Sequence, residues 1–181
     1  MVQVTKKLEK VIEKCMDMLA ALAGYMVGLF MLLLFVQVGM RYLFNRPIYG
    51  LDELVTALMI WSMALGWCTV YWYNEHAVIE AVMKRAPMFF KHLMYHVTNL
   101  IVLSTSAVFV PGGIRLFKMQ VNMPAVGGLP FNKSWYYALP ILVMGILMVI
   151  LSLFKTIGYI ITGDDKMVAP VSEEEGGIIL D

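Results

Sequence analysis

Hydrophobic and polar positions divide the chain into long blocks. Four stretches carry no Asp, Glu, Lys or Arg: Met18–Met40, Leu54–Asn74, Leu93–Ile114 and Ser134–Phe154, with 23, 21, 22 and 21 residues. About 20 apolar residues in a helix cover a hydrocarbon core of about 30 Å, so each block is long enough to span a bilayer. Backbone polar groups in lipid need partners within their own segment, which favours helices. No succession of ten-residue segments alternates apolar with polar, as a membrane barrel requires. The pattern predicts an all-α integral membrane protein with four transmembrane helices, at about 18–40, 54–74, 93–114 and 134–154.

The flanks follow a different rule. Val4, Leu8, Val11, Ile12 and Cys15 share one helical face, and Lys6/Glu9, Lys10/Glu13 and Lys14/Asp17 stand three apart on the rest. This amphipathic pattern predicts an interfacial helix over 1–17 that feeds the first span. "EHAVIEAVMKRAPMFFKHL", 75–93, mixes apolar and charged residues in the same way and predicts a second interfacial stretch, broken near Pro87. The acidic segment 155–181 reads as a cytoplasmic tail, largely disordered. The first apolar run is too long for a signal-peptide core and meets no small-residue cleavage site, so it is expected to be retained. No internal repeat supports an inverted-repeat transporter.

Composition agrees: 60% of the 181 residues are hydrophobic and the mean hydropathy is +0.74. A net charge of +1 provides no basic field for nucleic acid. Cys15 and Cys68 lie far apart in no metal or redox motif and read as free thiols. The 16 methionines read as adaptable apolar packing. Nine Lys/Arg lie in the N-terminal segment, the loop after span two and the C-terminal segment, against five in the other two loops. The positive-inside bias therefore places both termini in the cytoplasm, with 41–54 and 115–133 outside. Tyr42, Phe44, Tyr49, Phe131, Trp135, Tyr136 and Tyr137 mark the outer aromatic belt, and Trp67, Tyr71, Trp72 and Tyr73 the inner one.

Candidate chemistry is sparse. Intramembrane ionisable residues mark transport and proton paths, and no Asp, Glu, Lys or Arg stands mid-span. His96 lies one turn into span three, and Gln37 near the outer end of span one. Pro111-Gly112-Gly113 is expected to break span three near its outer end, whereas Pro140 falls in the second turn of span four, where its cost is small. His92 and His96, four apart, share a face, a spacing that suits a metal or haem ligand pair as well as ordinary interfacial histidines. No phosphate loop, nucleophile elbow or zinc signature occurs, so no catalytic, cofactor or metal residue is assigned. Ala20, Gly24 and Gly28, and likewise Ser62 and Gly66, recur every fourth residue, a ridge that lets helix backbones approach within the bundle or against a partner chain.

The link between spans one and two stands apart. "RYLFNRPIYGLDEL", 41–54, sets Arg41, Arg46, Asp52 and Glu53 around a turn punctuated by Pro47 and Gly50. The opposite charges can pair and fix the angle between the spans; the alternative is an ordinary solvated loop with snorkelling arginines. Arg41, Tyr42, Phe44, Asn45, Pro47, Asp52, Glu53 and Leu54 resemble the signature of the small membrane subunit of tripartite ATP-independent periplasmic (TRAP) transporters, the DctQ-like family. His76 in "EHAVIEAV", and Pro124, Ala125, Leu129, Pro130, Trp135, Tyr136 and Pro140 in "MPAVGGLPFNKSWYYALP", resemble further family patterns. The resemblance covers about residues 15–160. It implies a non-catalytic inner-membrane subunit that braces a large transport subunit. A periplasmic binding protein delivers the substrate, an organic-acid anion of the sialic-acid or C4-dicarboxylate class, and a sodium gradient drives its uptake. No residue here selects among substrates. The resemblance also implies that the turn orders the bundle and faces the large subunit or the binding protein. Two other readings stay open: a small haem- or metal-binding subunit of a membrane redox complex using His76, His92 and His96, and a self-sufficient small transporter or channel.

Overall fold

The computed structural model describes residues 2–73, 87–125, 127 and 129–162. Among the described residues four helices follow one another: α1 (Val2–Leu43), α2 (Leu51–Trp72), α3 (Met88–Gln120) and α4 (Leu139–Thr162), the last entered through a π-helical turn, Ser134–Ala138. All four are long and apolar enough to cross a membrane. No strand occurs among the described residues, where extended pairing is limited to an isolated bridge between Pro124 and Asn132. The all-α membrane architecture is as the hydrophobic blocks indicate.

The helices form a row. α1 packs on α2, α2 on α4, and α4 on α3. The central pair, α2 and α4, is much more buried than the flanking α1 and α3. Along α1 the shielded positions include Ile12, Met16, Leu19, Ala23, Met26, Phe30, Leu33 and Gln37. They alternate in steps of four and three, the seam of a left-handed helix pair. The Ala20–Gly24–Gly28 ridge lies off that seam. All three residues are exposed, and a methyl added to either glycine would touch nothing within 4 Å. Ser62 is buried in α2, while a methyl at Gly66 would also meet open space.

Close backbone approach occurs instead between α3 and α4. A methyl at Gly113 would lie 3.1 Å from Leu142 Cα, and one at Gly145 would lie 3.3 Å from Phe109 Cβ. The expected break at Pro111-Gly112-Gly113 does not occur, since α3 runs through it for 33 residues. Neighbouring helices compensate a membrane proline, and here Gly113 seats that stretch against α4. Residues 1–17, expected as the helix that feeds the first span, meet it with no boundary at the junction. From Val2 onward they continue into the first span as one helix of 42 residues. The fourth helix likewise runs on to Thr162, past the expected end at 154.

A polar knot ties the end of the row nearest the chain termini. Asn99, on α3, accepts hydrogen bonds from the Tyr71 hydroxyl of α2 and from Ser152 Oγ of α4 (2.6 Å), and its amide donates to Thr156 Oγ1. Lys155, expected in the tail, is buried, donates to the Tyr71 carbonyl (2.7 Å) and stands 4.6 Å from the Tyr71 ring centre. Tyr71 is therefore a core residue and not a member of an inner belt. The apolar core beside the knot joins Met16, Cys68, Tyr71, Met148 and Leu151.

Interhelical hydrogen bonds in membranes contribute about 0.6 kcal/mol on average and up to about 1.7. Asn99→Leu removes these three side-chain hydrogen bonds, so it should lower the stability of the detergent-solubilised chain by about 1–2 kcal/mol. Thermal unfolding checks this. Ser104→Ala, on an exposed part of α3 where Oγ bonds only the Leu100 carbonyl, should shift stability by less than about 0.5 kcal/mol.

Candidate functional site

The other end of the row, where α1 turns into α2 and α3 into α4, holds most of the singled-out residues. α1 ends because Asn45 takes a left-handed conformation, φ 54°, and the Arg46 N–H turns back to the Met40 carbonyl at 3.2 Å. Asn is among the few side chains that tolerate this geometry, and Pro47, two residues on, keeps the helix from resuming. Gly50, at φ 85°, caps α2. It lies against Gly127, at φ 84°, in the α3–α4 loop: a methyl on Gly50 would come 2.8 Å from the Gly127 carbonyl oxygen. The two loops dock backbone to backbone through residues without side chains.

The arginine–carboxylate pairs that the turn allows do not form among the described residues. Arg41 and Arg46 are exposed. Asp52 accepts from the Gln37 amide of α1, which ties α1 to α2. Glu53 is only 7% exposed, and its Oε1 accepts from the Tyr137 hydroxyl at 3.3 Å. A guanidinium on a flexible stem keeps its charge in water at little cost, and exposed ion pairs gain only about 0–1 kcal/mol. The shorter amide and phenol are already held on packed helices.

The π-helical turn has an identifiable cause. Pro140 is fully buried at the start of α4. It has no N–H, and its ring crowds the carbonyl four residues back, so the chain widens there and the Leu139 N–H reaches the Ser134 carbonyl instead. This leaves the Trp135 carbonyl able to accept the Trp61 indole N–H at 3.3 Å. Trp135 thus acts through its backbone, and its half-exposed ring tilts against Phe131, centroids 5.9 Å apart. Pro130 is exposed in the loop, and Lys133 N–H bonds the Met123 carbonyl at 3.0 Å. Tyr42, Phe44 and Tyr49 form an exposed collar around the turn.

Between the turn and the π segment lies a cleft of about 510 Å³ whose lining includes Tyr49, Asp52, Glu53, Lys133 and Tyr137. A second, largely apolar groove of about 290 Å³ runs along α2, α3 and α4 between Trp67 and Met148.

Comparison with known proteins bears on this end of the molecule. Residues 30–160 match the family model described as tripartite ATP-independent periplasmic transporters, DctQ component. The chain belongs to the DctQ family. A Haemophilus influenzae protein named as a TRAP transporter small permease is 25% identical over 141 residues, covering 77% of this chain and 88% of that one. No solved structure matches. The family model covers the DctQ turn, the α3–α4 loop and the π segment together.

His76 lies outside the described residues, and so does the side chain of His92. His96 is exposed. Among the described residues no group of three or more His, Cys, Asp or Glu is placed to hold a metal ion. The sequence pattern singles out neither Asn99 nor Gly127 nor Gly145, and marks Gly113 as part of a break rather than as a packing contact. A lone Asn inside an apolar run was the available sign for the first, whereas Gly113 and Gly145 resembled other membrane-helix glycines and Gly127 an ordinary loop glycine.

The left-handed cap predicts an asymmetry. Asn45→Gly should leave thermal stability within about 0.5 kcal/mol, because glycine adopts this conformation freely. Asn45→Val should cost about 1–2 kcal/mol. Gly50→Ala should be destabilising on two grounds, its positive φ and its contact with Gly127. Unfolding of the three variants in detergent ranks them.

Proposed function

We propose that this DctQ chain is the small, non-catalytic membrane subunit of a sodium-coupled TRAP transporter for an organic-acid anion, of the sialic-acid or C4-dicarboxylate class. It braces the large transport subunit in the inner membrane, and its turn end faces the periplasm, where the substrate-binding protein docks. The observation that carries this reading is the absence of any Asp, Glu, Lys, Arg or His from 18–40, 54–72, 97–114 and 135–154. A helix row with no charge between its ends offers no polar station to an anion or a coupled cation. Its open flanks suit a scaffold instead: α1 exposes the Ala20–Gly24–Gly28 ridge, where another helix can approach closely.

Reconstitution tests the division of labour. Vesicles holding this chain alone should show no uptake of sialic acid or of C4-dicarboxylates. Vesicles with the large subunit and the binding protein added should take up one of them, and collapsing the sodium gradient should stop it. Uptake by this chain alone would refute the bracing role.

Orientation is checked by thiol labelling. Cys15 is exposed and Cys68 is buried. In intact cells a membrane-impermeant maleimide should label Tyr49→Cys and leave Cys15 unlabelled until the membrane is permeabilised. Labelling of Cys15 in intact cells would invert the topology.

A further inference from the structure

The turn-end cleft holds a carboxylate that the chain itself leaves incompletely partnered. Glu53 lines the cleft and is 7% exposed. Its Oε1 receives one long hydrogen bond, 3.3 Å, from Tyr137, and its Oε2 is buried with no partner. Two other buried polar atoms without partners, Gln120 Oε1 and Ser134 Oγ, also belong to this end, at the close of α3 and the opening of the π segment. Buried polar atoms in native proteins are nearly all hydrogen-bonded, and an unpaired one costs about 1–3 kcal/mol, more when charged. Two of these three atoms, Glu53 Oε2 and Gln120 Oε1, are acceptors that lack a donor.

We propose that the cleft is a socket for an arginine side chain of the large membrane subunit, with Glu53 as its anchor. The inference rests on the subunit role proposed above. Three features select the occupant. The lining carries two carboxylates, Asp52 and Glu53, against one ammonium, Lys133, so it is net acidic. Asp52 already has the Gln37 amide, which leaves Glu53 to receive the guest. About 510 Å³ is far more than a bare ion fills, and the rings of Tyr49 and Tyr137 offer faces on which a planar guanidinium stacks while its fork meets the carboxylate. Burial selects the kind of partner. A nearly water-free carboxylate is costly each time its partner leaves, which favours a resident membrane subunit over a soluble protein that comes and goes. Tyr49, on the lining, and Tyr42 and Phe44, just before it in the chain, are exposed aromatic side chains of the kind that favour protein interfaces.

The isosteric variant Glu53→Gln gives a change of opposite sign in the two states. In the isolated chain it removes an under-partnered carboxylate, so the melting temperature should stay the same or rise. In the complex with the large subunit it removes the anchor, so the complex should dissociate about tenfold faster or more. Glu53→Arg should abolish recovery of the complex. Changing the large subunit's arginines one at a time to glutamate should restore that recovery at one position. Unchanged dissociation of the Glu53→Gln complex would overturn the socket, as would a Glu53→Gln chain that melts lower in isolation. Stabilisation of the wild-type isolated chain, and not of Glu53→Gln, by phosphatidylethanolamine would assign the cleft to a lipid amine and overturn it too. If the wild-type chain fails to co-purify with the large subunit at all, the subunit role itself fails. That result is distinct from a wild-type complex that forms and is indifferent to Glu53.

Discussion

Hydrocarbon supplies no hydrogen bonds, and every polar atom carried into it must find a partner inside the protein. This constraint organises both ends of the DctQ row. At one end Asn99 satisfies Tyr71 and Ser152 while donating to Thr156, so one amide joins three helices. At the other end Pro140 withholds an N–H, the chain widens into a π turn, and the Trp135 carbonyl is taken by Trp61. Between these ties the helices meet through apolar seams and glycine contacts. Such contacts supply packing with little directional preference, whereas each polar tie fixes one atom of one helix against one atom of another.

The four helices and their class were legible because a run of some 20 apolar residues has few structural alternatives. Their neighbours were harder to read. Ala20, Gly24 and Gly28 carry the same spacing signal as a true contact, yet they face outward, while Gly113 and Gly145 make the close approach without any four-residue repeat between them. Small residues permit proximity; the facing surface decides whether it occurs. The charged turn illustrates a related limit. Proximity in sequence suggested arginine–carboxylate pairs, but Gln37 and Tyr137 stand on helices already packed against α2, and their order outweighs the attraction of exposed guanidiniums. Asn45, Pro47 and Gly50 were visible as turn residues. Gly127 was not, because its role depends on Gly50, 77 positions earlier in the chain.

The row also explains how the motif residues divide their work. Asn45, Pro47 and Gly50 shape the backbone of the turn. Gln37, Asp52 and Glu53 connect it to α1 and to the π segment. Tyr42, Phe44 and Tyr49 project outward. A single short stretch therefore holds the helix ends together and presents an aromatic surface, and these two tasks fall on different side chains. The bundle needs the former whether or not another chain is present.

The uninterrupted course of α1 has a mechanical consequence. Its 42 residues make a rod of about 63 Å, roughly twice the thickness of a bilayer's hydrocarbon layer. For a straight rod of that length, a tilt of about one degree around one tip carries the opposite tip through about 1 Å. Leverage of this kind links whatever touches the first turns of the chain to the position of Arg41 and Tyr42 at the far extremity.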